Sequence, residues 1–237
     1  MRIHLQPAFV LHRRAYRETS FLLDVFTLEH GRLSLIAKGA KSHRSPQRAL
    51  LQPFTPLFIS WQGKSELMTL TGVEPDGLAF QLAGECLLAA FYLNELLTYV
   101  LHPHDGHPTL YHLYSNTLKK LEKNPLEPAV LRLFEKKALD ELGYGLQLKG
   151  EIESHKPFAP GLFYRYYSEL GFKQATDEDS QQLPGLVFSG GSLLALANET
   201  LNDESVQKEI KRLMRLAFKP LLMGKTINSR ELFVGVG

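Results

Sequence analysis

The sequence predicts an α+β protein in which a small five-stranded β-barrel precedes an all-helical C-terminal domain. Two observations carry this. Roughly the first eighty residues hold short runs rich in Phe, Leu and Val, separated by tight turns. After about residue 78 the apolar residues recur instead at helical spacing. The expected division is therefore a barrel domain over 1–78 and a helical domain over 79–237. A chain of 237 residues, 44% hydrophobic and 22% charged, can bury a core in each part and is neither disordered nor fibrous.

The strands come in order. Residues 8–12 form a short apolar run, and 20–27 (SFLLDVFT) a longer one. Gly31 turns the chain into 32–37 (RLSLIA), where Leu33, Leu35 and Ala37 alternate with outward positions. Residues 54–61 follow, then a turn at Gln62, Gly63 and Lys64, then 66–73. Five such strands suit a closed barrel of the oligonucleotide-binding (OB) type, because an open sheet would leave edges uncovered. Residues 38–48 (KGAKSHRSPQR) interrupt them with Gly, Ser, Pro and four cations, and read as an exposed loop.

The helices follow. Residues 84–101 are apolar on nearly all faces, as in a helix buried within a bundle. Residues 109–122 place Leu110, Leu113, Leu118 and Leu121 at helical spacing. In 127–142 Leu131, Phe134, Ala138 and Leu142 share a face, and Gly143 stands where a helix stops. Residues 202–218 turn Ile210, Leu213, Met214, Ala217 and Phe218 inward, before Lys219-Pro220.

Net charge is only +2, but it is unevenly spread. Residues 1–65 hold ten Lys or Arg against three acids, a balance of +7 that leaves −5 for the rest. No Asp or Glu lies between His30 and Ser65. A basic first quarter points to an anionic partner. Single-strand binding needs cations for phosphates and aromatics for bases. The barrel offers Arg13, Arg14 and Arg17 close together and Lys38, Lys41, Arg44 and Arg48 on one loop. Most of its aromatics (Phe9, Phe21, Phe26, Phe54, Phe58, Trp61) follow strand periodicity and belong to the core. Tyr16, inside the Arg cluster, is the best stacking candidate. The competing reading is a solvated basic face over a Phe-rich core. A second basic face, Lys208, Lys211, Arg212, Arg215 and Lys219, suits a solvated helix, a second DNA contact or a surface for an acidic peptide.

Other chemistry finds little support. His102, His104, Asp105, His107 and His112 approach the His-x-His-x-Asp-His pattern of binuclear hydrolases, but Gly106 stands where its acid should be. A His-rich surface loop fits better, with metal-dependent hydrolysis the weaker alternative. There is no phosphate-binding glycine loop and no Gly-x-Ser-x-Gly elbow. Ser189-Gly190-Gly191-Ser192 reads as a turn before a helix. Cys86, the single cysteine, sits in an apolar helix and can form neither an internal disulfide nor a Cys-x-x-Cys site. Carboxylate pairs such as Glu151 and Glu153 lack surroundings that would raise a pKa. The expectation is a protein with no active site and no cofactor. The N-terminus lacks the clean apolar run of a signal peptide, and the stretch near 87–101 is too short and polar to span a membrane, so a cytoplasmic protein is expected.

Several segments together resemble the RecO family of bacterial recombination mediators. AFVLHRRAYRETSFLLDVFTLEHGRLSLIAKGAKSHRS looks like its first barrel strands and basic loop, and LLQPFTPLFISWQGKSELMTL like its closing hairpin. FYLNELLTYVL and LRLFEKKALDELGYG look like its first and central helices, and LAFKPLLMGKTINSREL like its C-terminal signature. The resemblance implies an OB-fold barrel, a helical domain and a nucleoid-associated protein. It implies binding of single- and double-stranded DNA, strand annealing, contact with the SSB C-terminal tail, and work with RecR to load RecA, with a functional link to RecF. Carried to matching positions, the DNA contacts are Arg13, Arg14, Arg17, Lys38, Lys41, Arg44 and Arg48, with Arg215 as a candidate second contact. SSB tails are acidic with an apolar end, so the helix bearing Arg132, Phe134, Lys136 and Lys137 is the candidate tail site. Many members hold zinc through cysteines after the Leu-Gly-Tyr segment. Here Leu142-Gly143-Tyr144-Gly145 is followed by LQLKGEIESHKP, so a zinc-free member is expected. The alternative from another class is an RNA- or ribosome-associated OB-fold protein using the same cations.

Overall fold

The computed structural model describes residues 2–122 and 125–232. Five strands, β1 (Arg2–Tyr16), β2 (Ser20–Thr27), β3 (Gly31–Ala37), β4 (Leu57–Gln62) and β5 (Leu67–Pro75), close a barrel in the order β1-β2-β3-β5-β4. All neighbours are antiparallel except β3 and β5. This is the OB-type barrel that the strand pattern predicts.

The β2 and β3 boundaries follow from alternation. Leu23, Val25, Leu33, Leu35 and Ala37 point into the barrel, where Leu57, Ile59 and Trp61 of β4 meet them. The first strand is far longer than the apolar run at 8–12, because it pairs with both β2 and β4. Serving two neighbours in a closed barrel requires a bend, and β1 changes register between Ile3 and Gln6 and again between Val10 and His12. Leu5, at the first bend, has a left-handed φ of 48° and donates its N–H to Ser60 Oγ at 3.0 Å.

The loop after β3 leads into a short helix, α1 (Gln47–Leu50). Two longer helices follow the barrel, α2 (Gly84–Val100) and α3 (Pro108–Leu121). The outer face of the β1–β2 pair carries Phe9 and Phe26, which stand opposite each other and pack on Tyr111 and Tyr114 of α3. Asn94, the polar interruption in α2, is buried and satisfied. Its amide donates to the Leu11 carbonyl at 2.9 Å, and its Oδ1 accepts from the Tyr114 hydroxyl at 2.5 Å.

The chain forms two compact units, residues 1–126 with 225–237, and residues 127–224. The units thus divide later than the change from strand to helix, since α2 and α3 belong with the barrel. The second unit contains α4 (Pro128–Glu141), β6 (Phe163–Tyr167), β7 (Gly171–Gln174), α5 (Asp177–Gln182), β8 (Val187–Ser189), α6 (Gly190–Ala197) and α7 (Glu204–Ala217). The helix α4 ends before Gly143, whose φ is +82°. The expectation of an all-helical region needs one amendment. An antiparallel sheet in the order β7-β6-β8 stands among these helices. Its strands form because Tyr164, Tyr166, Phe172 and Phe188 bury alternate aromatics around Phe158. The segment expected as a turn before a helix is the helix start itself: Gly190, Gly191 and Ser192 form the first turn of α6, and Ser189, the last residue of β8, caps it by accepting the Ser192 N–H on its Oγ at 3.1 Å. The chain then returns to the barrel's unit as α8 (Ser229–Leu232), and the amides of Asn228, just before it, and of Ser229 donate to Glu95 of α2.

Candidate nucleic-acid interface

Strand register decides where the cations of the first quarter meet. Tyr16 pairs with Ser20 and Phe21 with Ala37, so the β1–β2 turn and the loop leaving β3 lie at the same end of the barrel. Hydrogen bonds tie them together. The Lys41 amide donates to the Thr19 carbonyl at 2.9 Å, and Lys41 Nζ to the Arg17 carbonyl at 3.4 Å. Arg13 Nη1 reaches the Arg48 carbonyl at 3.2 Å. Arg48 Nη1 donates to the Lys41 carbonyl at 3.2 Å and meets His43 Nδ1 at 2.9 Å.

Arg13, Arg17, Lys41 and Arg48 are thereby one connected group, with Arg14, Lys38 and Arg44 exposed at the same end. Among the described residues, none of these seven pairs with a carboxylate; the ion pairs form elsewhere. Burial, and then the nearby Arg48 charge, push the Arg13 guanidinium below its ordinary value. Such crowding of like charge is relieved by an anion. Glu18, exposed in the turn, is the acid closest in sequence. The guanidinium of Arg13 lies 4.5 Å from the Phe21 ring centroid and that of Arg17 lies 5.3 Å from the Tyr16 ring, so both are partly pre-positioned. Tyr16 is half-buried, whereas Phe9, Phe21, Phe26 and Trp61 are buried, as periodicity predicts; Phe54 is buried in the turn before β4, and Phe58, expected in the core, is half-buried because its β4 neighbours Leu57 and Ile59 take the inward positions.

The other candidate residues are placed differently. On α4, Phe134 is buried, and Arg132 is buried against Glu135 at 2.7 Å. Lys136 and Lys137 share Glu199, at 3.1 and 3.0 Å. The hydrogen bond from Lys137 leads in holding the Glu199 carboxyl below its usual range, so the acid is ionised beside both cations at neutral pH. On α7, Arg212 packs over Phe188 and donates to the Val187 carbonyl, and Lys208 pairs with Glu204. Arg215 and Lys219 are exposed.

The histidine-rich segment docks against the barrel. The His104 amide donates to the Arg32 carbonyl, and Arg32 Nε donates to the Leu101 carbonyl, both at 3.1 Å. A Cβ at Gly106 would strike the Glu29 carbonyl oxygen at 2.3 Å, so this glycine stands where two backbones touch. His107 meets Asp105 at 3.4 Å. Among the described residues no three of His, Cys, Asp or Glu gather where they could hold a metal ion, and no helix is long and apolar enough to cross a membrane.

Sequence reasoning missed one feature, a cavity of about 740 Å³ lined by Arg13 of β1 and by Phe91, Glu95 and Tyr99 of α2. Within an apolar helical run, Phe91 carries no signal that separates it from core.

Comparisons with known proteins agree with this architecture. Residues 1–77 match the family model for the N-terminal part of recombination protein O, and residues 82–231 match that for its C-terminal part. The chain is 48% identical over 231 residues to the DNA repair protein RecO of Coxiella burnetii (strain RSA 493 / Nine Mile phase I), covering 98% of each chain. It is 45% identical over 232 residues to the protein of that name from Nitrosococcus oceani, covering 98% of this chain and 93% of the relative. To the one from Haemophilus influenzae (strain 86-028NP) it is 43% identical over 233 residues, covering 98% and 97%.

Proposed function

The chain belongs to the recombination protein O family, and from that premise we propose that it is a DNA-binding recombination mediator acting in DNA repair. It binds single- and double-stranded DNA at the cation-rich end of the barrel and anneals complementary strands. With RecR it helps load RecA onto SSB-coated single strands, in functional connection with RecF. The nucleic-acid-binding part is the barrel of residues 1–78 and the predominantly helical part is 79–237, of which α2, α3 and α8 share the barrel's compact unit.

One observation carries this reading. Seven cations from two separate segments converge at one barrel end with no carboxylate paired to them among the described residues. Two phosphate backbones repel each other, and a surface of uncompensated cations offsets that repulsion while leaving base edges accessible. Neither step needs a covalent intermediate, so the reading assigns no catalytic residue. Arg215, exposed on α7, is a candidate second phosphate contact.

The tail of SSB is assigned to α4, where Lys136 and Lys137 bring cations beside apolar core. An incoming carboxylate there must displace Glu199.

The test is annealing of complementary strands coated with SSB. The protein should accelerate it strongly at low salt and lose that effect as salt rises. No acceleration at any salt would remove the annealing role. Competition between single-stranded DNA and structured RNA decides against the RNA- or ribosome-associated alternative if DNA wins.

A further inference from the structure

The 740 Å³ cavity lies within the barrel's unit. We propose that it receives one unstacked nucleobase of a single strand whose phosphates lie on the neighbouring cations. The inference rests on the reading of the barrel end as a DNA-binding surface and adds where a base goes.

Three observations converge. The first is continuity. Arg13 lines the cavity and also donates to the Arg48 carbonyl within the cation group, so a strand held there passes the opening. The second is an aromatic platform. Phe91 is 39% exposed although its helix neighbours Ala90 and Tyr92 are buried. Its ring is held at 70° to that of Phe54, with centroids 5.0 Å apart, so it is oriented before any ligand arrives. An exposed, pre-oriented ring beside a phosphate-binding surface is what base stacking uses.

The third is the division of charge. Arg13 and Glu95 both line the cavity. The Glu95 carboxylate accepts the Asn228 and Ser229 amides at 2.9 and 2.8 Å and the Tyr99 hydroxyl at 3.3 Å. Burial pushes its carboxyl up, but Ser229 first, and then Asn228 and Tyr99, outweigh burial and hold it below the usual value. An ionised carboxylate opposes an acidic peptide entering the same space. It accepts from the amino and ring N–H groups of a base. Cation and carboxylate together thus complement a nucleotide, which joins an anionic phosphate to a neutral ring bearing donors. The volume falls within the range of small-molecule sites, about 300–1,000 Å³. The satisfied hydrogen bonds of Asn94 and Thr98 keep the α2 wall formed without ligand.

The test compares a mixed-sequence single strand with a strand of equal length carrying abasic sites, by fluorescence anisotropy on the full chain. The wild-type protein should bind the abasic strand about tenfold more weakly, the size of one lost base stack. Phe91→Ala should bring that ratio below about twofold. Thr98→Phe should do the same by filling the cavity while keeping the Phe91 ring, which guards against a result due to lost packing on Phe54. Equal wild-type binding of both strands, or an undiminished ratio in both variants, overturns the base pocket and leaves the cation surface standing. If neither strand binds the wild-type protein at low salt, the DNA-binding reading itself falls, and the pocket with it.

Discussion

At the barrel end, Arg13, Lys41 and Arg48 donate to backbone carbonyls, whereas on α4 Arg132, Lys136 and Lys137 donate to carboxylates. The two segments already differ in the sequence, since Glu135, Asp140 and Glu141 stand among the three cations of α4 while residues 38–48 hold four cations and no acid. A carbonyl orients a cation without cancelling its charge, so the barrel end keeps its full field. A carboxylate orients and cancels together, so α4 keeps little. Cation density therefore predicts an anion-binding surface only where the folded chain supplies neutral anchors.

The largest expected effect tests the α4 side. Glu135 is fully buried and Arg132 nearly so. Removing one member of a buried pair leaves the other charge uncompensated, at about 3–5 kcal/mol. Arg132→Ala should lower unfolding stability by that order in urea denaturation. A loss below about 1 kcal/mol would mean that the pair is solvated, as an exposed pair would be, and α4 would then resemble the barrel end more closely.

Next comes the barrel end itself. Replacing Lys38, Lys41, Arg44 and Arg48 together with Ala should weaken single-strand binding on the order of 100-fold near ~0.1 M salt, whatever the sequence. The slope of log affinity against log salt should shrink by about three, since each single-strand phosphate contact contributes about 0.7. An unchanged slope would show that these cations do not meet phosphates. Arg48 also braces the loop through Lys41, so Arg48→Lys separates bracing from charge.

A smaller effect asks whether α4 can be made to resemble the barrel end. Glu199→Gln releases Lys136 and Lys137 from an ionised partner. If α4 holds the SSB tail, tail-peptide affinity measured calorimetrically should rise about three- to tenfold, the scale of roughly 1 kcal/mol in total for the two partly exposed charge interactions freed. Unchanged affinity would place the tail elsewhere.

The contrast also explains what was legible in the sequence. Strands β2 and β3 were readable because one face of each lines the barrel, so alternation survives. The length of β1 was not, because bulges that serve two partners break its period. The small sheet was missed because β6, β7 and β8 span only five, four and three residues, too few to show a period. At the site, strand register brings the β1–β2 turn beside the loop leaving β3, and cations of both segments bond backbone carbonyls there rather than carboxylates. The neutralisation of α4 was legible only in part: Glu135 lies three residues from Arg132, but Glu199, which pairs with Lys136 and Lys137, lies more than sixty residues away in sequence. Phe91 was hidden among core residues of the same helix.

The smallest effect concerns Arg215, which stands between the two behaviours. It is exposed in the last turn of α7, where a cation favours the helix dipole. Arg215→Ala should cost only about 0.3–1 kcal/mol in stability. If the residue also meets a phosphate, the salt slope of DNA binding should fall by about 0.7, and Arg215→Lys should restore both quantities, since either role needs only a charge. Loss of stability with an unchanged slope would assign Arg215 to the helix alone. The phosphate contacts would then be confined to the barrel end, where backbone carbonyls hold the cations without neutralising them.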